Sequence, residues 1–230
     1  MQPWEMPMRG HDTPDPYARA AFPWRNRALR ALWGVVRALL FRPSPRRAFG
    51  WRNALLRAFG ARIAPDCHIY PKCDIWAPWN LQCDALATIA DGAVVYNPAS
   101  VRLGSHSIVS QQAYLCGATH DLDDPAFPLV SAPITLGAYA WVAARATVLP
   151  GVRLGDYAVL GLGSVATRDL EPGWVYVGVP ARKVRQRRCA VGRSAADETN
   201  GEQAMSAARG RSEGARNSLG ESSAARRAVQ

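Results

Sequence analysis

A six-residue repeat runs through this chain from Ile63 to about Leu170 and is clearest over residues 136–165. An aliphatic residue opens each unit, a small residue usually follows it, and a small or β-branched residue takes the fifth place. A period of six matches neither the 3.6 residues of a helical turn nor the two-residue alternation of a lone strand. Repeats this short are typical of a parallel β-helix, in which each unit forms one wall of a coil. The repeat therefore predicts an all-β core.

The side-chain pattern has a steric explanation. Hydrogen-bonded coils stack about 4.8 Å apart, so the opening aliphatic residue points inward and rests on its equivalent in the next coil. The fifth residue also points inward, near a corner where only a small group fits, and Gly, Asp or Asn occupy the sharp turns. The repeat slips by two residues between Leu81 and Ile89 and again between Val95 and Leu103. These slips predict bulges or short loops in the N-terminal coils.

The 230 residues, 48% of them hydrophobic, suit one main domain with appendages. There is no uncharged apolar run of about 18 residues and no layout of a secretory signal at the N-terminus, so neither a membrane span nor export is expected. The five cysteines include no CxxC pair, and both Cys67 and Cys73 fall on the small fifth position of a hexad. Packing explains these two better than metal binding or disulfides, which predicts a reduced, cytoplasmic protein.

The positive charge lies at the two ends of the chain. Residues 1–60 carry a net +8 and residues 181–230 a net +6, whereas residues 61–180 carry a net −4. A nucleic-acid-binding protein would combine a basic patch with base-reading or stacking groups. Because no such motif is present, no nucleic-acid partner is expected.

The composition divides the chain into four segments. Residues 1–22 predict a flexible arm, residues 23–60 a helical cap, residues 61–188 the β-helix, and residues 189–230 a disordered tail that lacks large apolar side chains. A first helix is predicted from Trp24 to Phe41 and a second over about residues 48–59. One face of the first helix is apolar and contains Leu29, Leu32, Trp33, Val36 and Leu40. A different side of the same helix is basic and contains Arg27, Arg30 and Arg37. Two hypotheses remain open: the helices cover the open first coil, or the first helix lies on an anionic membrane surface.

One insertion interrupts the repeat. Leu115 and Leu136 are 21 residues apart where a hexad would give six, so about 15 residues form an extruded loop, assigned here to residues 120–133. His120 stands where the loop leaves the coil, beside an acidic cluster. An imidazole titrates near neutral pH and can serve as a general base, held by a neighbouring carboxylate or backbone carbonyl. The alternatives are a surface histidine or a zinc ligand, but the histidine spacings show no metal-ligand motif.

Three sets of residues carry a resemblance to a known family. They are the hexads, the loop Thr119-His120-Asp121 and the ending Gly178-Val179-Pro180-Ala181-Arg182-Lys183-Val184. Together they resemble the left-handed β-helix acyltransferases built from hexapeptide repeats. The sequence is most similar to the colanic-acid-biosynthesis type of acetyltransferase, through residues 40–46, 55–61 and 124–129. The likeness covers about residues 20–188 and implies a left-handed coil.

The resemblance also implies an active site. It implies a homotrimer with acetyl-CoA as co-substrate in the groove between adjacent β-helices, and no metal. His120 matches the catalytic base. The residues implied to bind the co-substrate are Trp141, the backbone of Ala143, Ala144 and Ala146, and the basic pair Arg182 and Lys183. Asn97 and Asp121 are candidates for contact with the acceptor. The run Val142-Ala143-Ala144-Arg145 departs from the Ile-Gly-x-x usual in the family, which puts the shape of that groove in doubt.

The expected function is O-acetylation of a sugar hydroxyl, with acetyl-CoA as donor, in exopolysaccharide or other glycan biosynthesis. The acceptor could be lipid-linked, which would explain a cap at the inner membrane face. Two other functions stay open at this point. One is a non-catalytic β-helix that serves as a scaffold or assembly subunit, and the other is acetylation of a small diffusible acceptor.

Overall fold

The structure, a computed structural model, describes residues 22–124 and 127–188. The expected arm, apart from Phe22, the expected tail and Cys189 lie outside the described residues. Three parallel sheets form the walls of a β-helix, and the chain visits them in the repeating order A, B, C. Sheet A contains β1 (Arg62–Ile63), β4 (Leu81–Cys83), β7 (Val101–Leu103), β12 (Ile134–Leu136) and β15 (Arg153–Leu154). Sheet B contains β2 (His68–Ile69), β5 (Thr88–Ile89), β8 (Ile108–Val109), β13 (Trp141–Val142), β16 (Val159–Leu160), β18 (Trp174–Gly178) and β19 (Ala181–Gln186). Sheet C contains β3 (Asp74–Ile75), β6 (Val94–Tyr96), β9 (Tyr114–Cys116), β14 (Thr147–Val148) and β17 (Val165–Ala166).

The opening residue of each hexad forms a ladder along the inside of its wall. In sheet B, Ile69 pairs with Ile89, and Ile89 with Val109. The ladder continues through Val142 and Leu160. All five side chains are fully buried. Sheets A and C carry equivalent ladders, so the predicted parallel β-helix and its inward positions are confirmed. Cys67 and Cys73 are also fully buried, as the packing interpretation requires.

All the irregularity falls at one edge of the triangular coil, where the chain passes from sheet C to sheet A. Four residues separate the strands at every A-to-B and B-to-C corner of the five complete coils. At the C-to-A edge, by contrast, two extra residues enter after β3 and after β6. One of these corners contains a 3₁₀ turn, Pro78–Asn80. The second insertion is the slip predicted between Val95 and Leu103, whereas the first lies one corner earlier than the slip predicted between Leu81 and Ile89. The long insertion follows β9 at the same edge and contains β10 (Ala118–His120) and β11 (Leu129–Ser131).

Two helices close the N-terminal end of the coil. Helix α1 (Trp24–Val36) continues into a π-helical turn, Arg37–Phe41, and α2 (Phe49–Ala58) follows. In each wall, the carbonyl of the inward residue of one coil accepts a backbone N–H from the coil before it, as when Tyr70 donates to Ile89. The first coil has no preceding coil, so these carbonyls need other donors.

Side chains of the cap supply those donors, one for each wall. Arg57 Nε donates to the carbonyl of Ile63 in sheet A, at 2.8 Å. In sheet B the donor is Arg52 Nε, 2.6 Å from the carbonyl of Ile69. In sheet C, Trp33 Nε1 lies 2.7 Å from the carbonyl of Ile75. The helices therefore complete the hydrogen bonding of the first coil, in agreement with the capping hypothesis.

The orientation of α1 differs from the prediction. Trp33 and Phe41 are buried against the coil, but the predicted apolar face also included Leu32, which is 55% exposed. Conversely, Arg30 and Arg37 do not face away from the coil. Arg30 lies over the ring of Trp76, 4.4 Å from its centroid, and Arg37 forms an ion pair with Asp74. The contacts with these two wall residues set the rotation of the helix, and its periodicity alone does not reveal them.

The C-terminal end is closed by backbone. Strand β18 pairs with β16 and continues sheet B. The chain then turns through a cis Val179–Pro180 peptide, and β19 pairs antiparallel with β18. Within the described residues, no helix is both long and apolar enough to cross a membrane.

Candidate active site

The insertion at the C-to-A edge is an ordered hairpin arm, defined here as residues 117–132. Strands β10 and β11 are antiparallel, and His120 pairs with Leu129. The arm leaves the coil at Gly117, whose N–H donates to the carbonyl of Tyr96 at 2.7 Å. A Cβ at position 117 would lie 2.6 Å from that same carbonyl oxygen, so only glycine fits. The insertion was predicted over residues 120–133, and in the structure it begins earlier, because Ala118 and Thr119 already form its first strand.

The arm holds His120 in one orientation. The imidazole Nδ1 lies 2.8 Å from the carbonyl oxygen of Phe127, and its ring stacks on the ring of Phe127 with centroids 4.5 Å apart and planes 7° apart. A carbonyl oxygen can only accept, so Nδ1 carries the proton in this contact. The other nitrogen, Nε2, then presents its lone pair outward from an exposed residue. Such an arrangement suits a general base with a fixed tautomer, and the catalytic role expected of His120 stays a prediction.

The acidic cluster beside His120 shapes the turn of the arm. Asp121 Oδ1 accepts the N–H of Asp123 at 3.1 Å, and the Asp121 N–H donates to the carbonyl of Pro128 at 3.0 Å. Asp121 is exposed, so its second carboxylate oxygen can also face an acceptor. The Asp121 carboxylate therefore stabilises the turn of the arm. Its contact with the acceptor stays a prediction.

A groove of about 420 Å³ lies on the outer surface of sheet B, at its edge with sheet C. Three residues named from the sequence line it: Trp141, Ala143 and Ala144. The indole of Trp141 is fixed by a 2.8 Å hydrogen bond from Nε1 to Ser110 Oγ. The small side chains at positions 143 and 144 keep the floor low, so an extended ligand can approach the backbone.

Two of the candidate site residues are fully buried in the chain. Ala146 is 0% exposed and belongs to the core. Its backbone was expected to line the groove, but in this chain it does not. Asn97 is also 0% exposed. Its Oδ1 accepts the N–H of Ala77 at 2.9 Å, and its Nδ2 donates to the carbonyl of Ala77 at 2.8 Å. Asn97 fastens two coils at the C-to-A edge, which gives this side chain a structural role, and its expected contact with the acceptor stays a prediction.

The basic residues at the groove are not the expected pair. Lys183 forms an ion pair with Glu171 at 2.6 Å and lies over the ring of Trp174, and Arg182 lines a different depression with it. The groove is instead lined by Arg185 and Arg187. Arg185 lies in β19, the strand that also contains Arg182 and Lys183, and Arg187 comes just after it. The sequence therefore predicted the basic segment correctly but not which of its side chains line the groove.

The groove and His120 lie at different edges of one chain. Ser110, Ala143 and Gly161 place the groove at the B-to-C edge, whereas the hairpin arm leaves at the C-to-A edge. One β-helix therefore carries both parts without bringing them together at one edge. Among the described residues, no cluster of three potential metal ligands is found.

Solved structures place the fold in a known class. Galactoside acetyltransferase in complex with coenzyme A matches with a TM-score of 0.66 and 22% identity, covering 73% of this chain and 84% of that chain. A hexapeptide-repeat acetyltransferase of Vibrio cholerae O1 biovar eltor, in complex with acetyl coenzyme A, matches with a TM-score of 0.63 and 24% identity, covering 71% and 89%. At these identities the likeness shows the fold, which is the β-helix of hexapeptide-repeat proteins.

A sequence relative supplies the family, although no family model matches the chain. The relative is the Escherichia coli (strain K12) protein named "Putative colanic acid biosynthesis acetyltransferase WcaF". It is 36% identical over 156 residues, which cover 68% of this chain and 86% of the relative. This chain belongs to the colanic-acid-biosynthesis type of hexapeptide-repeat acetyltransferases.

Proposed function

We propose that this protein transfers the acetyl group of acetyl-CoA to a sugar hydroxyl during the assembly of an exopolysaccharide or related glycan. The observation that carries the proposal is the fixed imidazole of His120, with Nδ1 held by a carbonyl and Nε2 free to accept a proton. A scaffold protein would have no need for a polarised histidine on an ordered arm. A sugar acceptor agrees with the names of the galactoside acetyltransferase and of the colanic acid relative.

The groove suits part of the proposed co-substrate. Its volume of about 420 Å³ lies within the usual range for ligand pockets. Trp141 provides an apolar wall, Ala143 and Ala144 permit close approach to the backbone, and Arg185 and Arg187 suit phosphate groups because guanidinium is a planar multiple donor. Acetyl-CoA supplies the acetyl group as an activated thioester.

The chemistry of this chain is proton transfer. His120 Nε2 takes the proton from the acceptor hydroxyl as that oxygen bonds to the acetyl carbon, and the bond from that carbon to sulfur breaks. The same nitrogen can return the proton to the departing thiolate, which leaves the imidazole ready for another cycle. The Phe127 carbonyl stabilises the protonated ring through the contact at Nδ1, so the orientation is unchanged throughout.

The working enzyme is proposed to be a homotrimer. His120 and the groove lie at different edges of one β-helix, and a second copy can bring its arm against the groove of the first. In a closed ring of three, each of the three contacts then forms one complete site.

Co-expression of two inactive variants tests this arrangement. His120→Ala removes the base and Ala144→Trp fills the groove, so each homotrimer lacks activity. If each site joins two copies, random mixing restores about a quarter of wild-type turnover, measured as release of CoA thiol with a panel of sugar acceptors. A mixed trimer, confirmed by mass, that stays inactive would show that the site lies within one chain.

Failure of the wild type to bind CoA in calorimetry would favour the scaffold function. Turnover with small diffusible acceptors alone would favour a function in the acetylation of such acceptors.

A further inference from the structure

Helix α1 and the π-helical turn that follows it present an apolar stripe on the side away from the coil. Trp24, Leu32, Val35 and Leu39 follow one another at helical spacing and are 72%, 55%, 55% and 67% exposed. The stripe lies opposite Trp33, which is buried. Four large side chains in one stripe form a contiguous apolar surface, and such surfaces mark interaction sites in soluble proteins.

The cap that carries this stripe is basic throughout. Residues 22–60 contain nine arginines and neither Asp nor Glu. Five of the arginines contact groups beyond their neighbours in sequence, namely Trp76, Asp74, Asp91 or backbone carbonyls. The other four are exposed and lie in α1 or in the segment that joins it to α2: Arg25, Arg27, Arg42 and Arg47. Of these, Arg25 lies over the ring of the adjacent Trp24, 5.7 Å from its centroid.

We propose that this apolar stripe and its arginines dock on the surface of an anionic lipid bilayer. Apolar side chains of an interfacial helix enter the boundary between headgroups and acyl chains, and each basic residue near the surface adds to the attraction to anionic lipid. Trp24 and Trp51 suit the interface, where aromatic side chains are enriched. Trp51 is 48% exposed and fixed by a 3.0 Å hydrogen bond to the carbonyl of Leu40.

Charge favours a bilayer over the same face of a second copy. Two such caps would bring arginines against arginines without an intervening carboxylate, and like charges disfavour that contact. Anionic headgroups supply the complementary charge. The docking face differs from the one expected from the sequence, because Arg30 and Arg37 point into the protein.

Docking would bring the proposed active site near the membrane. The arm leaves the third coil, which lies about 10 Å along the axis from the capped first coil. In the proposed trimer, the threefold rotation keeps the three caps at one height along the symmetry axis, so all three can meet one planar surface. This consequence rests on the proposed function and suits an acceptor that is linked to lipid.

Co-sedimentation of the full chain with vesicles tests the docking. We expect binding to phosphatidylcholine vesicles that contain about 30 mol% phosphatidylglycerol, little binding to pure phosphatidylcholine, and loss of most binding at about 0.5 M salt. Leu32→Ser/Leu39→Ser should lower the bound fraction about tenfold, and Arg42→Gln/Arg47→Gln should lower it several-fold. The matched controls, Val179→Ser/Val184→Ser and Arg153→Gln/Arg168→Gln, replace exposed residues of the β-helix and should bind as the wild type does.

Equal binding by wild type and both cap variants would overturn the proposal. It would also be overturned if Leu32→Ser/Leu39→Ser changed the molar mass in solution, because the stripe would then be a contact between copies. CoA binding and turnover on a water-soluble acceptor are measured in parallel. Vesicle binding without turnover would leave the docking intact and remove the proposed function, whereas turnover without vesicle binding would do the reverse.

Discussion

Arg52 in the cap and His120 in the hairpin arm both donate a hydrogen bond to a backbone carbonyl, but they do so in opposite surroundings. Arg52 is fully buried, and its guanidinium donates to the carbonyls of Ile69, Pro45 and Arg46 and to the hydroxyl of Ser44. Burial lowers the pKa of this guanidinium. His120 is exposed and uses one of its two nitrogens.

The difference separates structural polar groups from chemical ones. A side chain whose donors and acceptors are all occupied within the fold holds that fold together and has nothing left for a ligand. A side chain that is fixed by one contact and keeps another group free is oriented and still reactive. By this criterion Asn97 belongs with Arg52, although the sequence grouped it with His120.

The largest expected effect is on turnover. Replacing His120 with Ala should lower the rate by about 10²–10⁴-fold, the usual contribution of a general base, because no other group replaces Nε2. Release of CoA thiol measures the rate, and thermal unfolding should give an unchanged midpoint because the residue is exposed. His68→Ala, which changes a wall histidine, is the control. If the rate of His120→Ala stayed within about threefold of the wild-type rate, His120 would not be the reactive group that the comparison with Arg52 makes it.

Arg52→Met should show the reverse pattern. The substitution keeps most of the side-chain volume but leaves the buried carbonyl of Ile69, and the carbonyls of Pro45 and Arg46, without this donor, at a cost of about 3 kcal/mol in the free energy of unfolding. Urea unfolding measures this loss, and the rate per folded molecule should stay unchanged. Arg47→Met, at an exposed site, should cost less than about 0.5 kcal/mol. If Arg52→Met proved as stable as wild type, the hydrogen bonds of the cap would not hold the first coil.

Asn97→Ala tests whether Asn97 is a structural group, as Arg52 is, or contacts the acceptor. The variant should lose about 2 kcal/mol of stability, since both backbone groups of Ala77 lose their partner. KM for the sugar acceptor should not change. A rise in KM at unchanged stability would return Asn97 to the acceptor site and weaken the criterion.

The smallest effect concerns pH. Burial raises the pKa of the Cys73 thiol to about 12. Between the ordinary thiol range and that value, the unfolded chain loses a proton that the folded chain keeps, so stability should fall as pH rises. The loss of unfolding free energy between about pH 8 and 10.5 should be smaller by about 1–2 kcal/mol in Cys73→Ala than in wild type. An identical pH dependence of the two proteins would show that this thiol does not contribute.

The sequence predicted what the repeat controls. Hexad phase determines which side chains point inward, and the count between Leu115 and Leu136 reveals the insertion, so the walls and His120 were predictable. Asn97 was not, because it lies within the slip between Val95 and Leu103, where the phase of the repeat does not give the orientation of a side chain. The contact between His120 and Phe127 depends on the fold of the arm. The rotation of α1 depends on Trp76 and Asp74, which are distant in sequence, and no periodicity encodes such contacts.

The confinement of extra residues to the C-to-A edge has a consequence for how such proteins diversify. Along the other two edges, adding one residue would turn a wall inside out, since it would exchange inward and outward positions for the rest of the coil. At the C-to-A edge, segments of different length leave and return without altering the phase of the next hexad. New arms can therefore be grafted or lost there while the scaffold stays the same, so in this chain the C-to-A edge is the one that tolerates insertions.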